Sequence, residues 1–178
     1  MSTQLFTNAH IATGMPGSTA AETTPLQDIL VEDGRFKKIG QRLVAKLATQ
    51  GMDISSIETI DLEGKLACPP FCDTHLHLDY VFTARKPGAV NESGTLFEGI
   101  QRWSETKSDL TVDEVKERAK IGIAKEMRHG VQFIRSHADV TDPNLTSLKA
   151  LLELKEELKD TVTLQIVSFP QEGMYSYE

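Results

Sequence analysis

The chain has 178 residues, of which 39% are hydrophobic and 25% are charged, and its formal net charge is -7. This composition is typical of a folded globular protein and excludes a fibre or a disordered chain. The acidic balance argues against nucleic acid as a partner. Apolar runs stay far below the roughly 20 residues that span a bilayer, and the N-terminus lacks a leader, so we predict a cytoplasmic protein without a membrane partner.

Residues 1 to 66 are predicted to form a small β-rich domain. The strand patterns QLFTNAHI, DILVEDGRFKKIG and IETIDLEGKLA alternate with turns, and ATGMPGSTAAETTP reads as a loop. Asp33-Gly34 predicts a hairpin, because a type I′ turn needs positive φ at both central residues. The segment QRLVAKLATQG is compatible with either a short helix or a loop.

Residues 67 to 178 alternate between strand and helix patterns. Predicted strands are KLACPPFCDTHLHL, VQFIRSHADV and TVTLQIVSF, and a long polar loop, DYVFTARKPGAVNESG, follows the first of them. LFEGIQRWSETKS is a predicted helix. A second helix starts with the capping box of Thr111 and Glu114 and stops at Gly130, and a third starts at Asn144. This order predicts a parallel α/β sheet.

His75 and His77 are candidate metal ligands. Side chains alternate along a strand, so both imidazoles are predicted to project from one face, together with Asp73 and Asp79. Two imidazoles at this spacing are close enough to share a cation. A catalytic metal usually needs a third protein ligand, which has to come from elsewhere.

Cys68 and Cys72 are predicted to be reduced thiols, since two residues cannot form a disulfide framework. With both histidines they superficially match a Cys2His2 zinc set. Strict alternation, however, would place Cys72 on the face opposite the histidines. We therefore expect both cysteines to pack as small apolar residues under the helices.

Polar residues also follow the two later predicted strands. His137 lies at the end of the second strand, and Gln171 and Glu172 lie just after the third. The carboxyl ends of the strands form the active-site face of parallel α/β barrels. The sequence therefore predicts that these side chains share one rim, with His137 and Asp79 as candidates for it.

Four segments together carry a family resemblance. They are PPFCDTHLHLD at 69–79, SGTLFEGIQRW at 93–103, HADV at 137–140 and LQIVSFPQEG at 164–173. In order and spacing they resemble the N-terminal part of bacterial cytosine deaminase, of the amidohydrolase superfamily, and the related N-isopropylammelide amidohydrolases. The resemblance implies the first three strands of a (β/α)8 TIM-like barrel, preceded by strands of a small β-sandwich domain.

The resemblance also implies a site and a reaction. His75 and His77 match the first two ligands of a single divalent ion, iron or zinc. Gln171 matches the glutamine that pairs with the pyrimidine edge, and Leu96 matches the residue whose backbone carbonyl contacts the ring. The implied partner is a small cytosine-like ring, which loses its amine as ammonia, and the family implies a homo-oligomer.

The resemblance places the catalytic residues beyond Glu178, so none is expected within this chain. A (β/α)8 barrel takes about 250 residues, and only three of its eight strands are predicted here. We therefore expect the N-terminal part of a longer enzyme. If the 178 residues act alone, we expect them not to deaminate and to expose an open parallel edge.

Two other functions fit the same residues. One is hydrolysis of a different C–N bond, of the ammelide or triazine type or as in dihydroorotase. The other is a βαβ interaction module without catalysis, in which the histidines hold a structural metal or none.

Overall fold

The computed structural model describes residues 2–11, 25–86 and 88–173. The chain divides into two units, Met1–Pro69 and Pro70–Glu178. The predicted domain division after residue 66 stays a prediction, and nearly all of the predicted loop at 12–25 lies outside the described residues. Within those ranges, no helix combines the length and the apolar character that a membrane crossing requires.

The first unit is a five-stranded sheet with one short helix packed against it. Its central strand, β1, pairs antiparallel with β2 and parallel with β4 and β5. Buried leucines from the sheet and the helix form its core. The elements are β1 (Thr3–Ile11), β2 (Gln27–Glu32), β3 (Arg35–Gly40), α1 (Leu43–Thr49), β4 (Glu58–Asp61) and β5 (Leu66–Ala67).

The predicted hairpin is confirmed. Strands β2 and β3 pair antiparallel, and the two turn residues Asp33 and Gly34 have φ of 49° and 73°, as a type I′ turn requires. The ambiguous segment after this hairpin forms α1. A buried carboxylate explains why: Asp28 accepts a 2.8 Å hydrogen bond from the amide of Leu43, one of the amides that a helix leaves free in its first turn.

The second unit is a three-stranded parallel sheet whose strands are separated by helices, as predicted. The strand order is β6-β7-β8. Its core lies between the sheet and the helices α3 and α4, and includes Leu78, Ile134, Leu151 and Leu154. The elements are β6 (Phe71–Leu76), α2 (Leu96–Lys107), α3 (Val112–Arg128), β7 (Val131–Asp139), α4 (Thr146–Glu157) and β8 (Thr163–Phe169).

The first predicted strand of this unit is in fact two strands. Leu66–Ala67 pairs with β1 in the first unit, whereas β6 begins only at Phe71. Pro69 and Pro70 stand between them. Proline has no N–H to donate to a strand ladder, so the double proline ends one pairing before the other begins.

The helix ends agree with the prediction for α3 and correct it for α4. The Thr111 hydroxyl accepts from the Glu114 amide at 3.2 Å, and Gly130 follows α3 with φ of 83°. Helix α4 begins at Thr146 rather than at Asn144. The reason is Asp142, whose carboxylate accepts from the amides of both Asn144 and Thr146 and forms a turn ahead of the helix.

The Thr111 cap gives a first testable result. We expect Thr111→Ala to lower the free energy of unfolding by about 1 kcal/mol, because an amide of the first turn loses its acceptor. Urea denaturation monitored by circular dichroism measures this change. Thr111→Ser is the matched control and should stay close to the wild type, since it keeps the hydroxyl. Equal losses in both variants would contradict the capping role.

Candidate functional site

A β-bulge near the end of β6 decides which way its side chains point. Cys72 lies opposite Phe133 and Asp73 opposite Ile134, but the next pair is Leu76 opposite Ser136. Strand β6 therefore uses three residues where β7 uses two, which breaks the alternation of its side chains.

The bulge places both histidines on the sheet face that points away from the helices. Leu76 packs against the helix-side core, so His75 and His77, its neighbours on either side, project from the other face. On β7, which pairs with β8 without interruption from Phe133 to Asp139, His137 shares that face with the half-exposed Phe133.

The same bulge corrects our expectations for Cys72 and Asp73. Cys72 precedes the bulge and lies opposite Phe133, so it is on the same face as the histidines, and Asp73 is on the other one. Cys68 and Cys72 are both free and exposed rather than packed under helices. Strict alternation gave the wrong face because a bulge adds one residue to the strand.

Three imidazoles meet on this face at the carboxyl ends of β6 and β7. The ring centroids of His75 and His137 are 4.2 Å apart, and those of His75 and His77 are 5.3 Å apart. A ring nitrogen from each of the three lies within 4.8 Å of the other two, so His75, His77 and His137 can hold one metal ion.

The chemistry of the three rings fits a divalent cation. Within the described part of the chain, Nδ1 of His77 and Nδ1 of His137 are buried and have no hydrogen-bond partner. Buried polar atoms are normally paired. Burial lowers the pKa of His77, and the neighbouring His75 and His137 rings lower it further. The neutral imidazole, which is the form that binds a metal, is therefore favoured.

A cavity of about 290 Å³ lies next to the histidines. Tyr80 connects the two features: its ring stacks on His77 with centroids 4.6 Å apart and lines the cavity. Trp103 forms a further aromatic wall, 4.8 Å from Tyr80 between centroids. Burial raises the pKa of Tyr80, so its phenol stays protonated and neutral.

The two residues that we assigned to ring binding line this same cavity. Leu96, at the start of α2, and Gln171, in the turn after β8, both contribute to its wall. The structure thus brings Leu96 and Gln171 together in one cavity wall, and Tyr80 links this cavity to His77. Apolar and aromatic walls with a few polar groups, among them the amides of Asn91 and Gln171, suit a small planar ring.

Asp79 follows His77 by two residues and is fully buried. Its carboxylate accepts a 2.8 Å hydrogen bond from the backbone amide of Asp139. Burial raises the pKa of Asp79 to about 7. The hydrogen bond therefore ties the segment after β6 to the end of β7.

Asp139 is buried as well, but its charge is stabilised. It accepts from the Trp103 indole at 2.7 Å and from the Thr141 hydroxyl at 2.6 Å, and Lys107 lies 3.4 Å away. Burial alone would raise the pKa of Asp139, but these hydrogen bonds and the Lys107 charge bring it below the usual value. Asp139 therefore anchors α2 to the end of β7.

Sequence reasoning missed Tyr80, Trp103 and Lys107 as members of this region. Tyr80 directly follows the histidine segment, which is a usable signal. Trp103 and Lys107 are four residues apart on one face of a helix. Their shared partner Asp139 is more than 30 residues away, and only the fold brings these residues together.

The fold and the histidine cluster define a class of protein. Residues 58–177 match the model of the Amidohydrolase family. Because this match covers well over half of the chain, the chain belongs to the amidohydrolase family.

Individual relatives are consistent with this assignment. The chain is 33% identical over 122 residues to N-isopropylammelide isopropyl amidohydrolase of Pseudomonas sp. (strain ADP), covering 66% of this chain and 30% of the relative. It is also similar to 5-methylcytosine deaminase of Klebsiella pneumoniae liganded with 5-fluorocytosine, with 39% identity, a TM-score of 0.78 and coverage of 98% of this chain and 38% of that one.

A further solved structure, N-isopropylammelide isopropylaminohydrolase of Burkholderia multivorans, superposes with a TM-score of 0.72 at 26% identity, covering 98% of this chain and 39% of that one. The chain thus spans about a third of the length of these relatives. Together with the parallel β6-β7-β8 sheet, the similarity identifies the second unit as the N-terminal part of an amidohydrolase barrel.

Proposed function

We propose that the protein carrying this chain is a metal-dependent aminohydrolase that deaminates cytosine or a closely related ring. The observation that carries this proposal is the placement of a three-histidine cluster next to a cavity lined by aromatic residues and by Gln171. A relative 39% identical to this chain is a 5-methylcytosine deaminase, whose structure holds 5-fluorocytosine. Family membership supports hydrolysis of a C–N bond.

His75 and His77 would hold the metal, and His137 is close enough to be a third ligand. A divalent ion bound there would supply Lewis acidity and lower the pKa of a water molecule toward neutrality. Imidazole ligands suit both iron and zinc, so the proposal covers either ion.

This chain's own residues would bind and orient the ring. The Gln171 amide offers one donor group and one acceptor, which matches the complementary edge of a lactam-like ring. Tyr80 and Trp103 supply flat apolar walls against which such a ring can stack. Because the Tyr80 ring lines the cavity and also stacks on His77, a ring that binds against Tyr80 would lie close to the imidazoles.

A substrate panel tests the reaction. The purified full-length protein, loaded with iron or zinc, is incubated with cytosine, 5-methylcytosine and N-isopropylammelide. We expect ammonia from one of the first two rings. Release of isopropylamine from N-isopropylammelide alone would favour the second candidate, ammelide-type hydrolysis, which the 33% identity to an N-isopropylammelide isopropyl amidohydrolase supports. A metal-loaded protein that releases neither amine would contradict both.

Gln171→Ala tests the ring-binding role. We expect KM for cytosine to rise by roughly 10- to 100-fold, because the polar edge of the ring loses its partner in the cavity. Steady-state ammonia release measures it. Gln165→Ala is a matched control, since Gln165 lies on β8 and does not line this cavity. An unchanged KM in Gln171→Ala would exclude Gln171 as a ring contact.

A further inference from the structure

Lys107 is a buried cation at the point where three segments of the second unit meet. It is the last residue of α2 and its side chain is 7% exposed. Its ammonium donates to the Thr141 hydroxyl at 2.7 Å and to the Glu172 carboxylate at 2.6 Å, and lies 3.4 Å from Asp139. Lys107 therefore joins α2 to the end of β7 and to the turn after β8.

The contact with Glu172 links Lys107 to a segment that lines the cavity. Glu172 directly follows Gln171, in a turn that the Gly173 amide closes by donating to the Pro170 carbonyl at 3.0 Å. Gln171 lines the cavity from this turn, and Trp103 and Thr106 line it from α2. The ion pair thus connects two of the segments that line the cavity, α2 and the turn after β8, one helical turn away from Trp103.

Burial strengthens this ion pair and restrains the positions of its two side chains. Glu172 is 18% exposed and Lys107 7%, so water screens the pair only weakly. A buried ammonium without its partners is costly, which restrains the turn to positions where Glu172 still reaches Lys107.

We infer that Lys107 is a positioning residue: through Glu172 it holds the turn that presents Gln171 to the cavity. This inference rests on the proposed function only for the identity of the ring that the cavity binds. It assigns no contact between Lys107 and the ring. It predicts that loss of the Lys107–Glu172 pair loosens the turn and that any effect on ring binding passes through Gln171.

The first experiment measures the turn itself, without any substrate. Amide hydrogen exchange of the metal-loaded full-length protein is compared for wild type, Lys107→Met, Glu172→Gln and Lys116→Met. Lys116 is the matched control: it is a 14% exposed lysine that pairs with Glu153 and Glu157 of α4 and does not line the cavity. We expect exchange of residues 171–173 to rise by at least about tenfold in the first two variants only.

The second experiment measures coupling between Lys107 and Gln171. KM and kcat for cytosine are determined in a double-mutant cycle of Lys107→Met and Gln171→Ala, and again with Glu172→Gln in place of Lys107→Met. We expect Lys107→Met to raise KM by about tenfold when Gln171 is present and by less than about twofold when it is alanine. A general loss of structure would act equally in both backgrounds.

The outcomes separate the inference from the proposed function. Unchanged exchange of the turn in both Lys107→Met and Glu172→Gln overturns the inference, and so do additive effects on KM. A wild-type protein that releases ammonia from neither cytosine nor 5-methylcytosine, combined with faster exchange of the turn in the variants, overturns the proposed function and supports the inference. If Lys107→Met fails to fold, Glu172→Gln decides both measurements, since it removes one charge and keeps the size of the side chain.

Discussion

Replacing His75 and His77 together with alanine is expected to remove the metal and the activity. Both imidazoles belong to the cluster whose ring nitrogens lie within 4.8 Å of one another, and a site that loses two ligands cannot hold the ion. We expect the metal content to fall from about one ion per chain to below about 0.1, and deamination to fall by about 10³-fold or more, equivalent to roughly 4 kcal/mol of transition-state stabilisation.

Metal analysis and ammonia release on the same samples check this result. His129→Ala is the matched control, because His129 caps the end of α3 and is not a member of the cluster. It should keep the metal. Retention of a stoichiometric metal by the double variant would refute a metal site at these histidines, and loss of metal in the control would show that the effect is not specific.

Asp139→Ala is expected to produce the largest loss of stability. The substitution leaves the Trp103 indole without its acceptor and removes a carboxylate from the buried Lys107 ammonium. The Lys107 ammonium keeps its pair with Glu172, so the loss combines one of its two carboxylates with the buried hydrogen bonds that Asp139 accepts from Trp103 and Thr141. Disrupting a buried network of this kind typically costs about 3–5 kcal/mol. We therefore expect the free energy of unfolding to fall by about that amount.

Urea denaturation at pH 7 measures the change, with Trp103 fluorescence as a local probe. Asp160→Ala serves as the control, since Asp160 is exposed, and should stay within about 0.5 kcal/mol of the wild type. A loss below about 1 kcal/mol in Asp139→Ala would mean that the buried network contributes little to the fold.

Much of the local structure followed from the sequence because its signals are local. The Asp33-Gly34 turn needs only two residues that accept positive φ, and both have it. The Thr111–Glu114 cap lies within one helical turn. Each of these features involves residues at most three positions apart, so the chain needs no tertiary contact to specify them.

Some expectations failed because of pairing with a distant segment, and one because of a competing local side chain. The face of Cys72 depends on a bulge in the ladder between β6 and β7, and a strand cannot show a bulge without its partner. The start of α4 was wrong for a local reason. The Asp142 carboxylate accepts hydrogen bonds from the amides of Asn144 and Thr146, so the helix begins after Asn144.

The residues of the candidate site likewise fall into those that the sequence predicted and those that it did not. His75 and His77 were predictable because they sit on one short segment and a known family carries the same spacing. That His137 stacks on His75 could be expected only in outline, from the rule that parallel strands end at one rim. Of Lys107, Asp139 and Glu172, only Glu172 was placed at the rim from the sequence. That the three side chains form one buried group was not predicted, since they lie on three different elements.

The sequence by itself therefore determined the family, the alternation of strands and helices, and the histidine pair, because periodicity, turn chemistry and motif spacing are properties of short segments. The tertiary structure decided which faces these side chains share, which third imidazole joins them, and how a buried lysine ties Gln171 to the cavity wall. Those features are set by the register between strands and by the burial of charges. Both exist only after distant parts of the chain have packed together.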